Sequence, residues 1–379
     1  MVKDDSHINR RRISISLFSG AGGMDIGIRN AGFEILVEIE ADEHCCSTLR
    51  ANSEIQMTKT RIIRADIRTI KPVNLMYDLE LESGELDLLF GGPPCQSFSL
   101  AGKQHGLRDE RGLLLFEIIR FADAIRPKVI LLEQVKGLLS SKGSGNRRGE
   151  VFEKLLSELE GIGYTPKWRI VLAADYGVPQ LRERLFIVAT LGKNGFEFPE
   201  RTHAPKEECV GLFRYEPYLC IGEVIKGLGK PDCKIRGKTI YERPDSHVDV
   251  TPPRDRERIA QVPEGSYLAA QTHLGEELRR GLSPKDTTKY LRLHRRRPAN
   301  TLRCGEIFYH PTEDRYLTPR EYMRIHGYPD SYVLKGPIRS RTGTVRNLDQ
   351  HRQIANSVPP PLALNLGLQI RKFLNEQDI

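Results

Sequence analysis

The chain has 379 residues, 39% of them hydrophobic and 28% charged, with a formal net charge of +8. This length supports one large domain or two moderate ones, and this balance describes an ordinary globular protein, not a disordered or fibrous one. No apolar run reaches membrane-spanning length, residues 1–12 lack the apolar core of a signal peptide, and the seven cysteines form no CxxC pair. A disulfide framework, a zinc site and a membrane anchor are therefore disfavoured; a cytoplasmic protein without a metal is expected.

Residues 13–190 read as strands alternating with helices. Ile13–Phe18 is a short β-rich run, followed by a glycine turn and a helical stretch from Met24 to Asn30 that stops at Gly32. Ile35–Ile39 is a second strand ending at Glu40, Asp42–Asn52 reads helical, and Arg61–Arg64 is a third strand ending at Asp66. Leu86–Phe90 is the fourth, Leu113–Ile125 has helical apolar spacing and stops at Pro127, and Val129–Leu132 delivers Glu133. Val151–Leu159 reads as a helix, then Trp168–Ala173 and Leu185–Ala189 as strands. This alternation predicts an α/β fold, a doubly wound, mostly parallel sheet. After Leu191 the texture turns rich in Pro, Gly and charge, with regularity returning at Arg297–Leu302 and Leu317–Ile325. The expected division is a catalytic domain over 1–191, a smaller irregular domain over 192–344 with its variable part at about 192–290, and a returning segment over 345–379. In that segment Leu362, Leu366, Ile370 and Leu374 stand at helical spacing, so the last helix should pack back on the first sheet.

Ligands of open α/β sheets lie at the carboxyl ends of the strands. The apolar run ending at Phe90 breaks into Gly91-Gly92-Pro93-Pro94-Cys95, a stiff turn that would aim a thiol instead of burying it. The first strand ends in Phe18-Ser19-Gly20-Ala21-Gly22-Gly23, a turn that lets backbone approach a ligand near a helix N-terminus. Glu40 stands where a carboxylate takes ribose hydroxyls, and Asp66-Ile67 stands where one reaches an adenine amino group. No Lys-Ser/Thr follows the glycines, which excludes a P-loop and favours an adenosine-containing cofactor. Two basic groups, Lys142/Arg147/Arg148 and Arg292/His294/Arg295/Arg296/Arg297, suit a polyanion or a solvated surface equally.

Phe18-x-Gly20-x-Gly22-Gly23, Gly92-Pro93-Pro94-Cys95-Gln96, Glu133-Gln134-Val135, Gln180-x-Arg182-x-Arg184, Arg297-Pro298-x-x-Thr301 and Asn356-Ser357-Val358 occur in an order that resembles the C5 DNA cytosine methyltransferases of bacterial restriction–modification systems. The resemblance covers nearly the whole chain outside about 192–290. It implies methyl transfer from S-adenosylmethionine to C5 of a flipped cytosine in a specific double-stranded DNA sequence, by a monomer, with a cognate endonuclease acting on the same site. It implies that Cys95 is the nucleophile, that Glu133 contacts the base at N3 and the 4-amino group, that Arg184 holds O2, and that Arg182 lies at a nearby phosphate. Phe18, Gly20, Gly22, Gly23, Glu40, Asp66, Ile67, Pro93, Asn356, Ser357 and Val358 are then the expected cofactor residues. Gln96, Ser97, Lys103 and Arg108, in a stretch with the look of a closing loop, are the expected DNA contacts. Gln134 stands where the family usually has Asn, a position expected to support the loop, and Ser16 where an acidic residue is common. Ala41 offers nothing large to stack on adenine. An RNA cytosine methyltransferase and a catalytically silent DNA-binding protein are the competing readings. The substantial variable segment favours duplex DNA over the first, and the intact Cys95, Glu133 and Arg184 set disfavours the second.

Overall fold

The structure, a computed structural model, describes residues 11–94, 110–143, 145–192, 195–209, 215–233, 245–279, 282–283, 289–339 and 347–377. Its centre is a seven-stranded sheet in the order β3-β2-β1-β4-β5-β8-β6. The strands are β1 Arg12–Leu17, β2 Phe33–Glu40, β3 Arg61–Arg64, β4 Leu88–Gly91, β5 Val129–Gln134, β6 Tyr164–Leu172 and β8 Glu183–Leu191; the two-residue β7, Gln180–Leu181, stands apart. β1 to β5 are mutually parallel, whereas β8 is antiparallel to both β5 and β6. Strand order reverses between β1 and β4, so the crevice for a ligand opens beyond Leu17 and Gly91.

Helices α1 Gly23–Asn30, α2 Glu43–Ile55, α3 Pro72–Asp78, α4 Glu110–Ile125 and α5 Glu150–Gly161 connect the strands. Because side chains alternate along a strand, the continuous apolar runs of β4 and β5 feed two cores. Leu89, Ile130 and Leu132 meet Ile118, Phe121 and Leu155 of α4 and α5 on one face. Leu88, Phe90, Val129 and Leu131 meet Met24 and Ile28 of α1 and the C-terminal helix on the other. That helix, Pro360–Gln377, buries Leu362, Leu366, Ile370 and Leu374, as their spacing predicts. A third core gathers Ile221, Ile259, Leu293, Phe308, Tyr309, Tyr322 and Tyr332, from the irregular part of the chain.

The structure differs from the sequence reading in places with clear causes. β1 stops at Leu17 because Phe18 takes a φ of 56°, outside any strand geometry. α2 starts one residue later than expected: Asp42 caps it, accepting from the Cys45 amide at 3.0 Å. Helix α3 was not expected, although Lys71-Pro72 is a helix-start signal. Residues Arg297–Leu302 yield only the pair Ala299–Asn300, joined in parallel to Gln180–Leu181.

Gly27 lies where α1 meets the C-terminal helix: an added Cβ would stand 2.5 Å from Ala363 Cβ, the Leu364 nitrogen and the Pro360 oxygen. Ala is ordinarily worth about 1 kcal/mol over Gly inside a helix. Here three near-rigid atoms oppose it, and overpacking of this kind costs ~1–3 kcal/mol on top of the lost gain. Gly27→Ala should therefore lower the midpoint of thermal unfolding by several degrees; a variant that melts at or above wild type would show that the two helices do not pack this closely.

Candidate active site

The carboxyl ends of β1 to β5 each contribute a group. Beyond Leu17 the chain turns at Phe18, and the Ser19 amide donates to the Ile39 carbonyl of β2 at 3.1 Å. Glu40, ending β2, holds the glycine turn to the start of α2: one carboxylate oxygen accepts from the Gly20 amide at 2.8 Å, the other from Ala41 at 2.8 Å and Asp42 at 2.7 Å. Burial raises the Glu40 carboxyl above its ordinary range, and these donors pull it back. Gly20 has a φ of 56° and nothing within 4 Å of a Cβ placed there, so the turn leaves open space for a ligand. Asp66 caps a short turn over Ile67–Thr69 and pairs with Arg68, whose hydrogen bonds hold its carboxyl below the usual range.

These groups line a cavity of about 430 Å³, which reaches from Phe18, Gly20, Glu40, Asp66 and Ile67 to Pro93, Pro94, Glu133, Arg182, Arg184 and Asn356. That volume is in the range of small-molecule sites. Ser357 and Val358 line a crevice of about 30 Å³ beside it, together with Phe18 and Gly20. Gly22 and Gly23 have another role: an added Cβ would stand 2.5 Å from the Tyr332 hydroxyl at Gly22 and 2.3 Å from the Val358 oxygen at Gly23. They let the third core and the 357–358 segment close on the turn. Asp42, Cys45, Asn347 and Leu348 also line the cavity and were not expected. The α2 cap signal at Asp42 makes the first two traceable; nothing local marks the last two.

At the other end, Gly92 lies against Glu133, with an added Cβ 3.1 Å from its Oε2. Arg184 reaches across from β8, its Nε 3.0 Å from Glu133 Oε1, with the side chains 15% and 12% exposed. The antiparallel register that pairs Glu133 with Phe186 and Gln134 with Leu185 creates this meeting. Gln134 donates to the Pro93 carbonyl at 2.7 Å, so the residue standing in for Asn does support the turn. Cys95, Gln96, Ser97, Lys103 and Arg108 lie outside the described residues; Pro94, just before Cys95, lines the cavity.

Arg182 points inward, 1% exposed, and donates to the Ser357 carbonyl at 3.0 Å. His326 Nε2 also lies 3.0 Å from that carbonyl, and Gln180 Nε2 lies 3.0 Å from His326 Nδ1. A carbonyl only accepts and an amide NH₂ only donates, so the hydrogen-bond network assigns His326 as the neutral Nε2–H tautomer. Burial, with Arg182 nearby, pushes its pKa well below the usual value. Gln180 Oε1 takes the Leu302 amide at 3.1 Å. Among the described residues no group of three or more His, Cys, Asp or Glu is arranged to hold a metal, and no helix is long and apolar enough to cross a membrane.

An α/β sheet whose strand ends gather a glycine turn, Glu40, Asp66 and a Glu133–Arg184 pair around one cavity has the layout of an enzyme that binds its ligands at the carboxyl edge. The model of the C-5 cytosine-specific DNA methylases matches residues 13–372, and the chain belongs to that family. It is a DNA cytosine-5-methyltransferase. It is 42% identical over 374 residues to the Type II methyltransferase M.FnuDI of Fusobacterium nucleatum, covering 96% of this chain and 95% of that one. It is 33% identical over 377 residues to M.PspPI of a Psychrobacter species, covering 95% and 79%. Among solved structures, a prophage-encoded E. coli protein described as a DNA modification methyltransferase has a TM-score of 0.71 at 21% identity, covering 96% and 99%. Dnmt2 of S. pombe has a TM-score of 0.56 at 19%, covering 96% and 100%; these two likenesses bear on the fold alone.

Beneath the glycine turn, Asp25 of α1 is buried near the hydroxyls of Ser16 and Ser19, which meet at 2.8 Å. Burial raises its pKa to about 6, against Ser16 and Arg29, which lower it. Burial and Asp25 together raise Glu38 to about 8, although Arg29 pairs with it at 2.9 Å. A carboxyl whose folded value exceeds its unfolded one binds protons in the native state, so stability falls as pH rises from about 4 through about 6. Asp25→Asn should therefore melt with wild type near pH 4 and a few degrees above it by pH 8. A melting difference that does not change with pH would mean that Asp25 is ionised throughout.

Proposed function

We propose that S-adenosylmethionine occupies the Phe18–Glu40–Asp66 end of the cavity and that the target cytosine, turned out of a DNA duplex, occupies the Glu133–Arg184 end. The observation that carries this reading is the continuity of the cavity, which brings Pro93, Pro94 and Glu133 into one space with Gly20 and Glu40. Glu40 retains lone pairs for ribose hydroxyls, and the open space over Gly20 suits a ligand that needs close backbone approach. When bound, the cofactor supplies an electrophilic methyl group.

The residues of this chain supply the rest. Cys95 adds as thiolate to C6 of the cytosine, and the C5–C6 π pair becomes the nucleophile at C5. After methylation the C5 proton leaves to a base, the ring π bond re-forms, and Cys95 is expelled with its electron pair. Glu133 binds N3 and the 4-amino group, Arg184 binds O2, and both arrive already oriented by their ion pair. A base stacked inside a duplex cannot reach this pocket, so the target nucleotide is flipped. Arg182 braces the site through Ser357. Gln96, Ser97, Lys103 and Arg108 follow Cys95 and act as DNA contacts. Catalysis belongs to 1–191 and 345–379 and recognition to 192–344, in a monomer acting in the cytoplasm. The Type II names of the relatives M.PspPI and M.FnuDI support a modification enzyme that protects DNA from a cognate endonuclease.

Cys95→Ser should abolish methyl transfer and leave cofactor and DNA binding largely intact; a serine variant that keeps even a few per cent of turnover removes Cys95 from the mechanism. In the presence of S-adenosylmethionine, duplex DNA with 5-fluorocytosine at the target should become covalently joined to the protein, because once C5 is methylated fluorine does not leave as a proton does. Cys304, exposed and 2.7 Å from Asn356 Oδ1, is the thiol control: Cys304→Ser should still trap. A transfer RNA methylated in place of duplex DNA would point to the RNA branch.

Exchanging residues 192–290 for those of a relative should change which sequence is methylated and leave the product as 5-methylcytosine. Each good bidentate contact to a base edge contributes ~1–3 kcal/mol of discrimination. An active chimera that keeps the original site, mapped by bisulfite sequencing, would place specificity elsewhere.

A further inference from the structure

Three cations that follow Ser141 in the loop between β5 and α5 are held in two different ways. Arg147 is neutralised by Glu153, with Nη1 at 2.8 Å from a carboxylate oxygen. Lys142 and Arg148 instead oppose each other on an isolated antiparallel bridge, both exposed, and neither reaches a carboxylate among the described residues. Side chains opposed in this way stand ~4.5–5.5 Å apart at Cβ, and like charges there repel.

The loop cannot splay to relieve that repulsion. The Gly149 amide donates to the Ser141 carbonyl at 3.0 Å, and the Ser141 hydroxyl to the Leu138 carbonyl at 2.7 Å. The Glu150 carboxylate, at the start of α5, accepts from the Gly145 amide at 2.9 Å and the Arg147 amide at 3.2 Å. Two exposed cations without an ion pair among the described residues thus project from opposed positions of a braced backbone, an arrangement that an anion between them would stabilise.

Topology places this frame at the site. From the loop, α5 returns to Tyr164, which pairs with Leu191 at the far end of β8, whereas Leu185 at the near end is level with Gln134. The loop therefore shares the edge of the sheet that carries Glu133. Between them lies the short turn Lys136–Ser140, and Lys136 pairs at 3.0 Å with Glu183, the neighbour of Arg184. At a rise of ~2 Å per residue that turn spans about 10 Å, so the loop stands roughly 10–20 Å from Glu133. Duplex phosphates recur every ~3.4 Å of axis along each strand, so a duplex presenting cytosine to Glu133 brings phosphates a few nucleotides away over this rim.

We propose that Lys142 and Arg148 form a clamp for the DNA phosphate backbone beside the target base, fixing the position of the duplex without reading its sequence. The proposal rests on the DNA-methyltransferase reading above. Its test uses the full chain and a short labelled duplex of arbitrary sequence, since phosphate contacts are sequence-independent. Each neutralised phosphate contributes ~0.9 to the slope of log K against log salt, so K142Q/R148Q should lower that slope by about 2. Its affinity deficit relative to wild type should accordingly shrink about tenfold between ~50 and ~200 mM salt. R147Q, which removes a cation already satisfied by Glu153, should keep the wild-type slope. The double variant should melt no lower than wild type, because a repulsive pair has been removed. A double variant with the wild-type slope overturns the clamp, as does one that loses slope only in step with R147Q. Because binding is measured apart from methyl transfer, wild-type protein that binds duplex with this slope and leaves cytosine unmethylated would defeat the proposed reaction and not the clamp.

Discussion

The carbonyl oxygen of Ser357 accepts hydrogen bonds from both Arg182 and His326, and the geometry of the catalytic cleft depends on this buried node. His326 is in turn held by Gln180, which also takes the Leu302 amide. Four stretches of chain, around residues 180, 302, 326 and 357, are therefore fixed to one another by buried side chains. Losing one partner would leave a buried polar group unsatisfied, at a cost of ~1–3 kcal/mol. Arg182 and Arg184 share one short stretch of backbone, so anchoring the first fixes the point from which the second reaches Glu133. The same node holds the 356–358 segment against the glycine turn, where the missing side chain of Gly23 admits the Val358 carbonyl.

The two ends of the cavity differ electrostatically in a way that bears on which thiol reacts. Cys45 lines the cofactor end, but burial and the Glu40 and Asp42 carboxylates push it well above its ordinary range; Cys46 is pushed up to about 12. Neither supplies a thiolate near neutral pH. Arg182 and Arg184 lie at the opposite end, toward which Gly92-Pro93-Pro94 leads the chain. The cofactor-turn end of the cavity thus holds its thiols protonated, whereas the opposite end carries two guanidinium groups against the single Glu133 carboxylate.

Much of this was legible in the sequence because it resides in local pattern. The strand runs, the glycine turn, Glu40, the Gly-Gly-Pro-Pro break and Glu133 are each announced within a few residues, and parallel topology then brings strand ends together. What was not legible comes from long-range pairing. Gln180 and His326 are 146 residues apart, Arg182 and Ser357 175 apart, and no spacing rule connects them. Arg292 looked like part of a basic surface, yet it is buried and donates to the carbonyls of His310, Pro311, Ile259 and Val262. Arg295 is matched by Glu264, 31 residues earlier. Charge counted along the chain does not reveal which cations already have partners.

The close crossing of α1 and the C-terminal helix also has a consequence in time. The face of α1 around Gly27 and Ile28 leaves the ribosome more than 300 residues ahead of its covering, Leu362 to Leu374. At ~5–20 residues per second the interval between them is roughly 20–70 s. During that interval the sheet face that includes Leu88, Phe90 and Leu131 lacks its permanent neighbour. Over that interval the apolar strip that Leu362 to Leu374 finally cover stays exposed on the nascent chain, which is the condition under which apolar surfaces associate wrongly.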